Sequence, residues 1–224
     1  NVEELVNKYF SNISKKECIS KLPVVEHQKL PQMIVEKRKT DQAHICLGVR
    51  AYDMFHPQRY TLSVLATILG KMMSSRLFIK IREEMGLAYY INTDYDSSTD
   101  TGYLVTQVGV DNKKAAMAVS EILKEYKKIS SKKVPLDELN KAKENIKGKL
   151  AISLESTDAK ASFYGINYLL KKETPTIEEM FREIDSITAE DVLSVSKDIF
   201  KPEKLNLAVI GLVSKNEFKN ILKL

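Results

Sequence analysis

A helical period that halts at a glycine and restarts as strand alternation is the strongest constraint on this fold. It lies in SSRLFIKIREEMGLAYY, from Ser74 to Tyr90. Leu77, Phe78, Ile81 and Met85 recur at helical spacing, so one face of the segment must be buried. Ser74 and Ser75 stand where they can cap its first amides. Gly86 supplies the left-handed residue that ends many helices, and polarity begins to alternate after it. A chain with this turn must pack a helix against a strand. Arg82 and Tyr89 fall seven residues apart, one on each side of the break.

The remaining elements group by type. Residues 1–13 carry helical periodicity through Val2, Leu5, Val6 and Tyr9/Phe10. Residues 14–40, with Pro23 and Pro31, read as a linker with an extended piece at Met33–Lys37. Ile45, Leu47 and Val49 alternate with His44, Cys46 and Arg50, which predicts a half-buried strand. A helix opening at His56-Pro57 closes at Gly70. Tyr89–Tyr95 and Tyr103–Val110 form a hairpin about the turn DSSTDTG. Helices follow from Asn112, from Pro135 and over Thr157–Leu170. Thr176 with Glu179, and Thr188 with Asp191, have capping-box spacing. Leu205–Ile210 is the last strand and Lys215–Leu224 a terminal helix. Strands cluster and helices cluster, so the expected class is α+β, a two-layer sandwich of a mainly antiparallel sheet with helices on one face.

The chain has 224 residues, enough for a sizeable core. Its 35 basic and 30 acidic residues nearly balance. The lysines are dispersed and accompany no nucleic-acid-binding motif, so no nucleic-acid partner is expected. No apolar run reaches membrane-spanning length, and no membrane partner is expected either. Cys18 and Cys46 show no metal or redox spacing. The default compartment is the cytoplasm, with any targeting segment lying before Asn1.

Chemistry-bearing residues are few. His27, His44 and His56 lie on three different elements, and neither H-x-x-E-H nor H-E-x-x-H occurs. His44 and Cys46 share a strand face, two ligands where a zinc site needs three or four. Arg82 and Tyr89 remain, with two readings open. One is an arginine paired with a neighbouring acid such as Glu83 or Glu84, and a tyrosine packed as a strand aromatic. The other is a pair of donors to a carbonyl oxygen that gains negative charge during acyl transfer.

The pattern R-L-F-x-x-I-R-E-x-x-G-L-A-Y, from Arg76 to Tyr89, resembles the signature of the second half-domain of the insulinase/pitrilysin zinc peptidases, the processing-peptidase-like bacterial members among them. TDQAHICLGV at 40–49, RYTLSVLATILG at 59–70, ELNKAKENIKGKLAISLEST at 138–157 and PEKLNLAVIG at 202–211 are similar to that family in the same order. The resemblance implies paired half-domains closing around a peptide. Zinc is implied for the N-terminal half, through H-x-x-E-H, and none for a half like this one. By residue match, Arg82 and Tyr89 would be the catalytic pair that reaches the scissile peptide. The implied division is 1–13 as the last helix of a preceding half-domain, 14–40 as the linker and 41–224 as the C-terminal half-domain.

The implied partners are peptide substrates and a zinc-bearing N-terminal half, on the same polypeptide or in a homo- or heterodimer. Alone, a chain without H-x-x-E-H should be inactive. The alternative is a non-catalytic partner subunit or peptide-holding module. One departure from the family is Gly70-Lys71-Met72-Met73, where its members often carry a glycine-rich turn.

Overall fold

Period-two burial builds the sheet. In the computed structural model, which describes residues 1–14 and 21–224, β2 (Gln42–Ala51) buries Ala43, Ile45, Leu47 and Val49. His44 and Cys46 turn to the opposite face and stay exposed. Cys18, and residues 15–20 of the expected linker, lie outside the described residues. The hairpin forms as its alternation predicts, from β3 (Ala88–Ser97) and β4 (Gly102–Asp111), with the Ser98 N–H donating to Thr101 O at 2.8 Å in the turn. β5 (Leu205–Gly211) runs antiparallel to β2.

The extended piece expected near Met33 is a full strand, β1 (Gln32–Lys37), paired in parallel with β5 from Gln32↔Asn206 to Lys37↔Gly211. The stretch read as a linker therefore ends inside the sheet. The strand order is β1-β5-β2-β4-β3.

Helices α2 (Arg59–Ala66), α3 (Ala115–Ser131), α4 (Leu136–Ser153), α6 (Ile177–Ser186) and α7 (Ala189–Ile199) make the second layer. Each helix of that layer turns apolar residues inward, such as Val119, Ile122 and Tyr126 of α3. The class is the expected α+β sandwich with one sheet face left open. The reciprocal caps predicted for α6 and α7 are formed, Thr176 with Glu179 and Thr188 with Asp191. α1 (Val2–Phe10) buries none of its residues, and neither does α5 (Thr157–Lys171).

Three boundaries differ from expectation. Asn112 does not cap a helix; Asp111 caps the short 3₁₀ turn before α3. The Asn112 side chain instead donates to Thr40 O at 2.9 Å and accepts from Leu212 N at 2.7 Å, joining the approach to β2 with the exit of β5. The terminal helix shrinks to α8 (Asn216–Lys219), because burying Phe218 and Leu222 needs only one further turn.

The third is α2, which starts at Arg59 and runs past its expected end as a π-turn, Thr67–Lys71. Gly70 is needed there for close approach. A Cβ at Gly70 would lie 2.3 Å from Thr93 Oγ1 and 2.5 Å from Thr93 N. Thr93 in turn begins a buried polar chain: its hydroxyl is 2.7 Å from that of Thr106, which is 2.7 Å from the Tyr126 phenol. Tyr126 also donates to Leu47 O at 3.1 Å. Gly70→Ala is therefore expected to destabilise the protein by about 1–3 kcal/mol through overpacking. A urea midpoint equal to wild type would refute that contact.

Candidate functional site

Arg82 rides on a π-helix, Phe78–Glu84, that continues the helical residues Arg76 and Leu77. Leu77 and Ile81 are fully buried and hold the segment to the core, as their spacing predicts. The Met85 N–H reaches back to Lys80 O at 3.2 Å, and Leu87 N–H to Ile81 O at 2.9 Å. Gly86 closes the helix at φ +56°, the conformation expected of it. A π-turn widens the backbone spiral by one residue and occurs disproportionately at functional sites.

The serines do not cap this helix as expected. Ser75 is buried, and among the described residues its hydroxyl has no partner; its carbonyl accepts from Ile79 N at 3.0 Å. The helix start is fixed instead by Arg76. Its Nε and Nη2 donate to the two carboxylate oxygens of Glu138 on α4, each at 2.6 Å.

Arg82 is only loosely engaged. Its Nε lies 3.8 Å from Glu83 Oε1, with both side chains about half exposed, a contact of little strength. Its guanidinium also lies 4.7 Å from the Phe78 ring centroid. Tyr89 is 80% exposed. The ladder explains why: Ala88 pairs with Val110 and Tyr90 with Gly109, which leaves Tyr89 as the extra residue of a β-bulge. Burial follows the same irregularity, with Ala88 and Ile91 buried and the two tyrosines between them exposed. Strict alternation would have sent one of them into the core. Among the described residues no hydrogen bond or ion pair joins Arg82 to Tyr89. The fold presents them as two separate donors flanking the turn.

Tyr90, which sequence reasoning missed, lies on the open sheet face with its hydroxyl 3.2 Å from His44 Nδ1. Its signal was present in the sequence as a second tyrosine breaking the alternation. A Cβ at Gly109 would meet the Tyr90 ring at 2.5 Å, so this glycine lets the ring lie flat across β4. Burial, with the neighbouring Cys46 as a lesser cause, pushes the Tyr90 phenol above its ordinary value, and burial likewise raises the Cys46 thiol. Both groups are neutral at physiological pH.

The histidines stay apart. His44 faces outward on β2, His56 stacks on Tyr52 with centroids 3.7 Å apart, and His27 is exposed before β1. Among the described residues no group of three or more His, Cys, Asp or Glu side chains is placed to hold a metal ion. A zinc ion therefore does not fit these residues. Nor is any of the described helices long and apolar enough to cross a membrane.

Comparison with known proteins matches residues 1–146 to the model of the peptidase M16 inactive domain. A protein of Bacillus subtilis named an uncharacterized zinc protease is 34% identical over 180 residues, covering 80% of this chain and 44% of the relative. One of Streptomyces coelicolor with the same description is 30% identical over 174 residues, covering 78% of this chain and 38% of the relative. The chain thus spans less than half the length of either. A Helicobacter pylori protease superposes with a TM-score of 0.83 at 20% identity, over 94% of this chain and 51% of that one. The M16 inactive domain of a Pseudomonas fluorescens protein gives 0.82 at 16% identity, over 94% and 50%.

Proposed function

The chain belongs to the peptidase M16 family as its inactive domain, and on that footing we propose that it is the substrate-binding C-terminal half of a zinc metalloendopeptidase. Arg82 and Tyr89 are the catalytic pair it lends to an active site whose metal is held by another half. The relatives' description as zinc proteases supports zinc for the whole enzyme. In this chain's part of the work, the Tyr89 phenol donates a hydrogen bond to the scissile carbonyl oxygen as negative charge grows there. The Arg82 guanidinium donates to the substrate backbone beside it.

One observation carries this reading. In a chain of this family, two strong donors stand, among the described residues, free of strong partners on the two sides of one glycine turn, each held by rigid structure. A tyrosine retained for packing would not be 80% exposed on a bulge. The division of the chain is part of the same proposal. α1 is the last helix of a preceding half-domain, in keeping with its uncovered Leu5, Val6, Tyr9 and Phe10, and the half-domain proper starts not at 41 but with β1 at Gln32, which pairs along β5.

The test is made on the full-length polypeptide that contains this chain. It is expected to bind zinc, to cleave unstructured peptides and to lose that activity on chelation, with activity restored by added zinc. A full-length protein that holds no zinc and cleaves nothing, with no H-x-x-E-H before Asn1, would instead make this chain a non-catalytic peptide-holding module.

A further inference from the structure

The open face of the sheet carries a groove of about 500 Å³. Its floor is Gly48, and its walls are Ile34 of β1, Ala208 of β5 and Val105 and Tyr103 of β4, with Arg50 at one end. That volume falls within the roughly 300–1,000 Å³ of small-ligand pockets. The glycine sets the depth, since a side chain there would both fill the groove and press on Leu104 O, 2.7 Å from a built Cβ.

At the end of its apolar walls the groove has one charged side chain, Arg50, already engaged by its neighbours. Arg50 Nη2 donates to Glu203 O at 3.1 Å. Its Nε is 3.2 Å from Glu26 Oε2, but among the described residues no acceptor is aligned with that N–H. That nitrogen is buried beside the Glu26 carboxylate and is closed to an occupant of the groove. Apolar walls along the open sheet face suit an apolar side chain carried by an extended peptide segment. Among the described residues no titratable cluster that would recognise a charged small molecule lines the groove.

The position relates it to Tyr89. The bulge lies opposite Gly109, in one row with His44, whereas the groove centres on Gly48, opposite Val105. That is four residues along the strands, about 13 Å, and two strands across, about 10 Å. The diagonal is about 16 Å, or about five residues of extended chain. At the Arg50 end the segment before β1 crosses over, with Gln28 donating to Leu205 O at 2.9 Å. The Cys46 end is directed toward the row of His44 and Tyr90.

We infer that this groove is a specificity site that takes a large apolar side chain of the peptide substrate about four to six residues from the scissile bond. The inference rests on the peptidase reading and adds to it a preference remote from the cleaved bond. An extended peptide seated there reaches Tyr89 across the open face.

The experiment uses the full-length protein and a series of serine-rich peptides with one cleavage site, in which a single phenylalanine is walked from one to eight residues away. The expected result is a maximum in kcat/KM, about tenfold or more, with phenylalanine four to six residues out, carried mainly by KM. Ala208→Trp, which fills the groove from an exposed position, and Ile34→Ser, which strips an exposed wall, are each expected to shrink that maximum to within about twofold. Thermal midpoints confirm that both variants fold. A flat wild-type series, or a maximum that survives both substitutions, overturns the groove and leaves the peptidase reading standing. Failure to cleave any peptide in the series overturns that reading and the groove with it.

Discussion

Tyr89→Phe in the full-length protein is expected to lower kcat about a hundredfold or more, the usual effect of removing one oxyanion donor, while its thermal midpoint stays at the wild-type value. Tyr89 is 80% exposed on a bulge and its hydroxyl bonds to nothing among the described residues, so losing that hydroxyl leaves the fold with nothing to repair. Only a group that meets the substrate can then change the rate. Arg82→Ala belongs to the same experiment and should cost a similar factor. Arg82→Lys should recover part of it, because the charge survives and the forked geometry does not. Peptide cleavage followed by mass spectrometry reads all three. A Tyr89→Phe enzyme working at the wild-type rate would leave Tyr89 as an exposed aromatic and withdraw its assigned role.

The second large effect concerns stability. Arg76→Ala, or Glu138→Ala, is expected to cost about 1.5–3 kcal/mol, the loss of charge-assisted hydrogen bonds in a partly buried ion pair whose other member is left without its partner. The two side chains are only 13% and 19% exposed, and both bonds between them are 2.6 Å long. Replacing both together, as Arg76→Met with Glu138→Leu, should recover most of the loss, since two apolar groups of similar volume bring no charge to desolvate. Urea midpoints of the three variants decide the matter. A loss below about 1 kcal/mol in both single variants would show that the pair behaves like one at the surface. On the proposed reading the pair also bears on function, because Arg76 begins the helical run that carries Arg82.

Many local signals were legible in the sequence because the physics behind them is local, although the cap expected of Ser74 and Ser75 does not form. The alternation of Ile45, Leu47 and Val49 gave β2 its buried face, since side-chain period alone assigns residues to the two sides of a strand. The caps at Thr176 and Thr188 could be read because each joins residues three apart. Gly86 could be read because its conformation disfavours any other residue. The parallel pairing of β1 with β5 was not legible, as nothing in QMIVEK names a partner at the opposite end of the chain. Neither were the two π-turns. A period of 3.6 fits their apolar residues adequately, and the added residue per turn answers to packing against Thr93 and the core.

For the site itself, the sequence determined the inventory. A guanidinium and a phenol lie seven residues apart across a glycine stop, with no complete set of metal ligands beside them. Those facts are covalent and survive any packing. Only the tertiary structure decided how the pair is presented. The helix start is held by a partly buried arginine–carboxylate fork with a distant helix, not by the serines beside it. Tyr89 faces outward because the ladder between β3 and β4 slips by one residue at Gly109. A bulge belongs to two strands at once, and one strand's letters cannot specify it.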